Sequence, residues 1–330
     1  MHAIGIVCLC VVLCWAVWFR LKDQDDPPRV LASAASSTPK PKPKPLIAFL
    51  NEGNIWATQA DGSNKRLLAA APEREAIQDF VWSSDGSRIY FSIGFQFFEI
   101  VIETGNVARA GTLTPPPDAA IERLEMAADG RTILIHLLGP NAATQFMILK
   151  IGDSEAHELT TGEYNELLQP RLQIVRNIGE HLVSPDGRQI LFKRPVGTGE
   201  ELFVSDVESG ARLQITHLYE LEGFEGSVAT EGGRRVIEAS WSPDGRYVIF
   251  NPMQSCSELG LCYGRLFLVE SCGGEQLQLS VSMMVNVAQE WNSQGDQLLY
   301  EDGSKVVTTD TTGHFLVLGE GNRPKWQPTQ

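Results

Sequence analysis

The chain has 330 residues, 43% of them hydrophobic, and a formal net charge of −14. That composition supports a sizeable core and excludes wholesale disorder. Its acidity argues against a nucleic-acid surface, which needs clustered Lys and Arg to displace phosphate counterions.

The N-terminus carries no charged side chain from Ala3 to Phe19, and Arg20 closes the run. In helical form such a run spans about 26 Å, the short end of a membrane crossing. Trp15, Trp18 and Phe19 would lie at the interface. A cleaved signal peptide competes, but its apolar run should be shorter and its cleavage site nearer than Ala32-Ser33-Ala34. The expectation is an uncleaved anchor over residues 1–22. Residues 23–45, with Pro-Lys repeats at 39–45, read as a stiff spacer of polyproline type. Arg20 and Lys22 after the span favour a cytoplasmic body by the positive-inside rule, whereas the spacer resembles those that hold envelope proteins off a bacterial membrane. Taken together these place the body in the periplasm or outside the cell, with the cytoplasmic orientation as the alternative.

From residue 46 a phrase recurs: FVWSSDGSRIYFS (80–92), LEMAADGRTILIH (124–136), HLVSPDGRQILFK (181–193), ASWSPDGRYVIFN (239–251) and QEWNSQGDQLLYE (289–301). PKWQPTQ, from Pro324, begins a sixth copy. Spacings of roughly 35–58 residues signal a propeller or solenoid. A bulky residue precedes each Gly by four: Trp82, Met126, Val183, Trp241 and Trp291, with Trp326 in the last copy. The pairs Asp85-Gly86, Asp129-Gly130, Asp186-Gly187 and Asp244-Gly245 are tight-turn chemistry, because Asp bonds back to the backbone and Gly accepts positive φ. Alternating apolar runs on both sides predict a hairpin, and further strands at 97–103, 145–151, 201–207, 265–271 and 305–310 raise the count to four per repeat. The segment 46–68 has the second to fourth strands without a first, and the tail supplies one strand around Lys325. The expected fold is therefore all-β: a six-bladed propeller of four-stranded antiparallel blades over 46–330, closed by the C-terminal strand.

The Trp-Ser-Pro-Asp-Gly hairpins resemble those of the TolB-like six-bladed propeller family across about residues 45–330. Trp82, Trp241, Trp291 and Trp326 match the family's tryptophan, while Met126, Val183 and Gln294-Gly295 depart from the pattern. The resemblance implies fold and carries no activity.

Catalytic signatures are sparse. The chain contains no Gly-x-Ser-x-Gly elbow, and its six histidines show neither His-x-His nor His-Glu-x-x-His spacing. No cofactor or metal is expected. Cys256 and Cys262 bracket a short loop that a disulfide would staple in an oxidising compartment; ordinary thiols are the alternative. The turns on one ring face are short. The loops expected on the other are long: 111–120, 161–180, 217–236 and 252–261. Tyr164, Arg171, Tyr219 and Phe224 are the residue types that anchor interfaces. The leading expectation is a membrane-anchored module that binds another envelope protein. The alternative is a hydrolase or lyase with dispersed polar residues at the propeller funnel.

Overall fold

The computed structural model describes residues 44–139, 144–160, 163, 167, 181–221, 235–256, 262–280, 283–284 and 289–329. The expected anchor and nearly all of the spacer lie outside them, as does most of the loop 161–180. Among the described residues no helix is long and apolar enough to cross a membrane.

Six antiparallel sheets follow one another along the chain. Blade one contains β1 (Leu46–Asn51), β2 (Asn54–Gln59) and β3 (Arg66–Ala69). Blade two is β4 (Ile77–Trp82), β5 (Arg88–Ile93), β6 (Gln96–Val101) and β7 (Val107–Thr112). Blade three is β8 (Ala120–Met126), β9 (Thr132–Leu138), β10 (Thr144–Lys150) and β11 (His157–Glu158). Blade four is β12 (His181–Val183), β13 (Gln189–Val196), β14 (Gly199–Asp206) and β15 (Arg212–Gln214). Blade five is β16 (Val236–Trp241), β17 (Tyr247–Cys256), β18 (Cys262–Gly264), β19 (Phe267–Glu270), β20 (Leu277–Gln278) and β21 (Met283–Met284). Blade six is β22 (Gln289–Trp291), β23 (Gln297–Asp302), β24 (Lys305–Asp310) and β25 (Phe315–Glu320). The last strand, β26 (Asn322–Trp326), pairs antiparallel with β1, Ile47 opposite Trp326, and completes blade one. The expected six-bladed closure is present.

Blade five corrects one expectation. Residues 252–256 are not loop but an extension of β17, which carries on past its blade to pair with β18. The register shifts between Met253 and Ser255, and Cys256 ends opposite Cys262. A run that alternates through Tyr247–Phe250 is thus continued by a second, smaller sheet with β21.

Inner strands such as β1 and β5 bury both faces, so their apolar runs are nearly continuous. In β1, Ile47 and Phe49 pack with Leu299 and Val306 of blade six, while Ala48 and Leu50 pack with Phe80 and Ile89 of blade two. In β17, Val248 and Phe250 face Leu191 and Leu202 of blade four, and Ile249 faces Leu298 and Tyr300 of blade six. Strand periodicity of two thus feeds two inter-blade cores from a single inner strand.

The turns show why the phrase recurs. Ser184 Oγ donates to Asp186 Oδ1 at 2.6 Å, Arg188 N donates to the same oxygen at 3.0 Å, and Gln189 N donates to Ser184 Oγ at 2.9 Å. Ser83/Asp85 and Ser242/Asp244 repeat the arrangement. The Ser83 hydroxyl and the Ser87 amide hold the Asp85 carboxyl down at about pKa 2. Where Gln294 departs from the pattern, Asn292 accepts from Asp296 N and Gln297 N instead. Gly187 closes its turn at φ +74, which a side chain would strain.

The tryptophans link blades through one rule. Trp82 Nε1 donates to Lys325 O at 3.3 Å, Trp241 Nε1 to Leu182 O at 3.1 Å, and Trp326 Nε1 to Glu290 O at 3.1 Å. Each acceptor immediately precedes the corresponding bulky residue of the preceding blade. Trp291 breaks the rule: its Nε1 is buried without a hydrogen-bond partner. Trp241→Phe should therefore cost about 1 kcal/mol more stability than Trp291→Phe, read from urea denaturation of both variants. Equal losses would show that the indole bond contributes nothing beyond packing.

Candidate functional site

The innermost strands converge on an axial cavity of about 850 Å³. Its position follows from strand periodicity. Residues one and three before the bulky position share a strand face, and here they are charged or polar far more often than core residues should be. They are Asp79 on β4, Arg123 and Glu125 on β8, Glu238 on β16, Glu290 on β22, and Arg323 and Lys325 on β26; all line the cavity, with Gln289 and Glu122.

The closing strand supplies both cations of its quadrant. Lys325 Nζ lies 3.4 Å from Asp79 Oδ1, donates to the carbonyls of Phe80 and Leu124, and sits 5.0 Å from the Phe80 ring centre. Arg323 Nη1 lies 3.4 Å from Asp79 Oδ2 and donates to Glu122 O at 2.6 Å. Asp79, 1% exposed, also accepts Leu124 N at 2.7 Å. So one buried carboxylate ties blades one, two and three together. Desolvation lowers the Lys325 pKa, opposed by the nearby Asp79 charge.

The wall beside the closing strand is acidic. Glu290 Oε2 accepts Trp326 N at 2.9 Å. Its carboxyl opens onto the cavity but is hemmed in by protein, and that desolvation raises its pKa to about 7 against the pull of the Trp326 amide and Lys325. Burial also raises Glu238 and Glu301. Glu238 faces Asn251 directly across β16 and β17, on the same sheet face. Asn251 is 1% exposed, and neither its Nδ2 nor its Oδ1 has a partner. Gln289 Nε2 is likewise buried and unpaired. Gln289 lines the cavity, and a buried polar group left open there is what water or a ligand satisfies.

His136, an unremarkable hairpin histidine in the sequence, belongs to this hub. Its Nε2 is 3.4 Å from Glu125 Oε2, its Nδ1 is 3.5 Å from Arg123 Nη2, and its ring meets Phe146 edge-on at 4.9 Å. The position one residue earlier holds Ile135 here and stacked phenylalanine pairs in blades two, four and five: Phe91–Phe98, Phe192–Phe203 and Phe250–Phe267.

Of the interface candidates from the sequence, Tyr219 is among the described residues and does not line the cavity. Tyr219, 52% exposed, sits on a single 3-10 turn, Leu218–Glu220, with its hydroxyl 2.8 Å from Thr198 Oγ1. That turn is fixed beneath: Leu218 is fully buried, and the buried Glu201 carboxylate accepts Leu218 N at 2.9 Å and Thr216 Oγ1 at 2.6 Å. Tyr164, Arg171 and Phe224 lie outside the described residues. Cys256 and Cys262 stand opposite each other in register, the placement a cross-strand disulfide needs. Among the described residues, no group of three or more His, Cys, Asp or Glu is arranged to hold a metal.

The chain entry also sits where the strand order places it. Gln327 N donates to Leu46 O at 2.8 Å, Leu46 N donates to Gln327 Oε1 at 2.9 Å, and Gln327 Nε2 donates to Gly86 O at 2.7 Å. Leu46 thus begins beside the first Asp-Gly turn.

No family model and no curated protein matches the chain. Among solved structures it is similar to TolB from Acinetobacter baumannii, with 14% identity, 86% of this chain and 66% of that chain covered, and a TM-score of 0.44. It is similar to a chain of a nidogen/laminin complex, with 9% identity, 87% and 100% covered, and a TM-score of 0.45. An AtxE2 isopeptidase matches at 10% identity over 82% of this chain and 47% of its own, with a TM-score of 0.47. The six-bladed architecture rests on the sheet order.

The raised Glu290 pKa has a consequence for stability. The folded chain keeps that proton up to about pH 7, whereas an unfolded glutamate releases it near 4.5. Folding therefore takes up a proton in between, and stability declines as pH rises through that window. Glu290→Gln, which keeps an acceptor for Trp326 N, should flatten the decline in melting temperature from pH 5 to pH 8. The gain at pH 8 should be about 1 kcal/mol or less, because cavity solvent screens the charge. Parallel profiles for the two proteins would contradict the assignment.

Proposed function

We propose that the chain is a membrane-anchored propeller that binds another protein of the cell envelope, with its ring in the periplasm or outside the cell. The observation that carries this reading is the preformed axial cavity, lined by Glu238 and Glu290 and by Gln289, whose buried Nε2 has no partner. A polar segment of a partner would meet groups that need no reorganisation, which lowers the entropic cost of docking. On the loop side, Tyr219 is an aromatic anchor already held in position, and Tyr164, Arg171 and Phe224 are proposed to extend its surface. The Cys256–Cys262 placement accords with an oxidising compartment.

A second reading, a hydrolase or lyase at the axial mouth, draws on Glu290. A carboxyl with a pKa of about 7 close to Lys325 suits proton transfer. Its Oε2, however, is engaged by the Trp326 amide and so serves closure.

Crosslinking and affinity recovery from native membranes tests the proposal. A Tyr219→Ala, Phe224→Ala double variant should melt like the parent and recover the crosslinked partner at least tenfold less. A Glu238→Gln variant should also recover less. Undiminished recovery by both would overturn the proposed surface. Peptide mass mapping of unreduced protein should find Cys256 and Cys262 joined; two free thiols would count against export.

A further inference from the structure

Among the described residues each blade ends in an outer strand with no named strand on its far side, although β7 bridges Glu155 at Thr112. Such edges invite pairing with other chains, and charged residues or very short strands are the usual protection. Five of the six are protected in this way. Strand β3 starts at Arg66, β7 carries Arg109 and β15 starts at Arg212. Strands β11 and β20 are two residues long.

Strand β25 is different. It runs six residues, Phe-Leu-Val-Leu-Gly-Glu, with no charge before Glu320. Phe315, Leu316 and Val317 are 67%, 42% and 44% exposed, three consecutive large apolar side chains at an open edge. Strand β24 pairs with the inner edge of β25 from Thr309 opposite Phe315 to Lys305 opposite Glu320, with one register shift that leaves Leu318 unpaired. The strand is therefore held extended. Phe315 and Val317 share one face, and Leu316 lies on the other, close to Gly62 of blade one.

We propose that the outer edge of β25 receives one extended strand of a partner polypeptide, which adds a fifth strand to blade six. The partner segment would carry apolar side chains at alternate positions, beside Phe315 and Val317. The size of the patch selects this occupant. Three partly exposed side chains offer a few hundred Å² of apolar surface, which is patch-sized. A stable pairing of two folded copies buries about 800 Å² on each partner. A single added strand needs less, because main-chain hydrogen bonds along the edge supply affinity and alternate side chains supply selectivity. This surface is separate from the axial cavity and does not depend on the function proposed for it.

The probe is a fluorescein-labelled peptide, Lys-Val-Thr-Val-Thr-Val-Lys, titrated into the full-length chain and followed by fluorescence anisotropy and amide hydrogen exchange. The peptide should bind and should slow exchange at residues 315–320. Val317→Lys should weaken binding at least tenfold without changing the melting temperature, and Val107→Lys on β7 should leave it unchanged. Absence of binding to the parent chain, equal binding to Val317→Lys, or an equal loss in Val107→Lys would overturn the proposal. Two further outcomes would also overturn it. One is a dimer in sedimentation that Val317→Lys dissociates, which assigns the edge to a second copy. The other is co-sedimentation with phosphatidylethanolamine–phosphatidylglycerol vesicles that Val317→Lys abolishes, which assigns it to a lipid surface.

Discussion

A blade with two apolar faces cannot stand alone, and the ring exists because each blade covers its neighbours. The constraint is cyclic, so it must be satisfied at the seam as well. There β26 brings the last strand back to β1, and Trp326 packs with Ile47, Phe49, Leu299 and Val306 between blades six and one. The indole bonds run in the same direction around the ring. Each ties a blade to the backbone of the one before it, and the bond from Trp326 to Glu290 joins the first blade to the last. The net worth of one such bond is small, about 1 kcal/mol.

Closure also builds the axis. Arg323 and Lys325 arrive on the closing strand and meet Asp79, while Glu290 and Glu301 hold the strand's backbone through Trp326 N and Arg323 N. Cationic strand and acidic slot are complementary. Buried pairs of this kind are poor sources of net stability because desolvation offsets attraction, but removing one partner is costly. The charges at the axis therefore favour the correct register of β26 over a slipped one. A one-residue slip would turn Trp326 away from its pocket and carry Lys325 into it.

Much of this was legible in the residues. The Asp-Gly turns, the tryptophan positions and the incomplete first repeat are local signals, and they lead to six blades with closure by the tail. Departures from the phrase were less readable. Ala127 lacks the serine, yet Asp129 compensates through Thr132 N and Thr132 Oγ1. The extension of β17 was hidden because Pro252 and the polar run after it read as loop. The axial site was missed for a different reason. Asp79, Glu238, Glu290 and Lys325 are far apart in sequence, and each alone looks like an ordinary surface charge. The available signal was positional: charges one and three residues before the bulky position, on strands that must be innermost. Asn251 and His136 needed cross-strand register as well, which no single repeat reveals. Tyr219, by contrast, is where an exposed aromatic was expected, although its support by Glu201 depends on burial of a carboxylate that looked incidental.

The account has one structural premise, that the C-terminal strand closes the ring and assembles the axis. The most direct measurement is thermal and urea unfolding of the chain ending at Gly321, without residues 322–330. The account predicts loss of the single cooperative transition or a melting temperature lowered by 10 °C or more on the order-of-magnitude scale for several kcal/mol. It also predicts dye-accessible apolar surface along β1 and β4. A truncated chain that melts with the same midpoint and the same denaturant dependence as the full chain would contradict it.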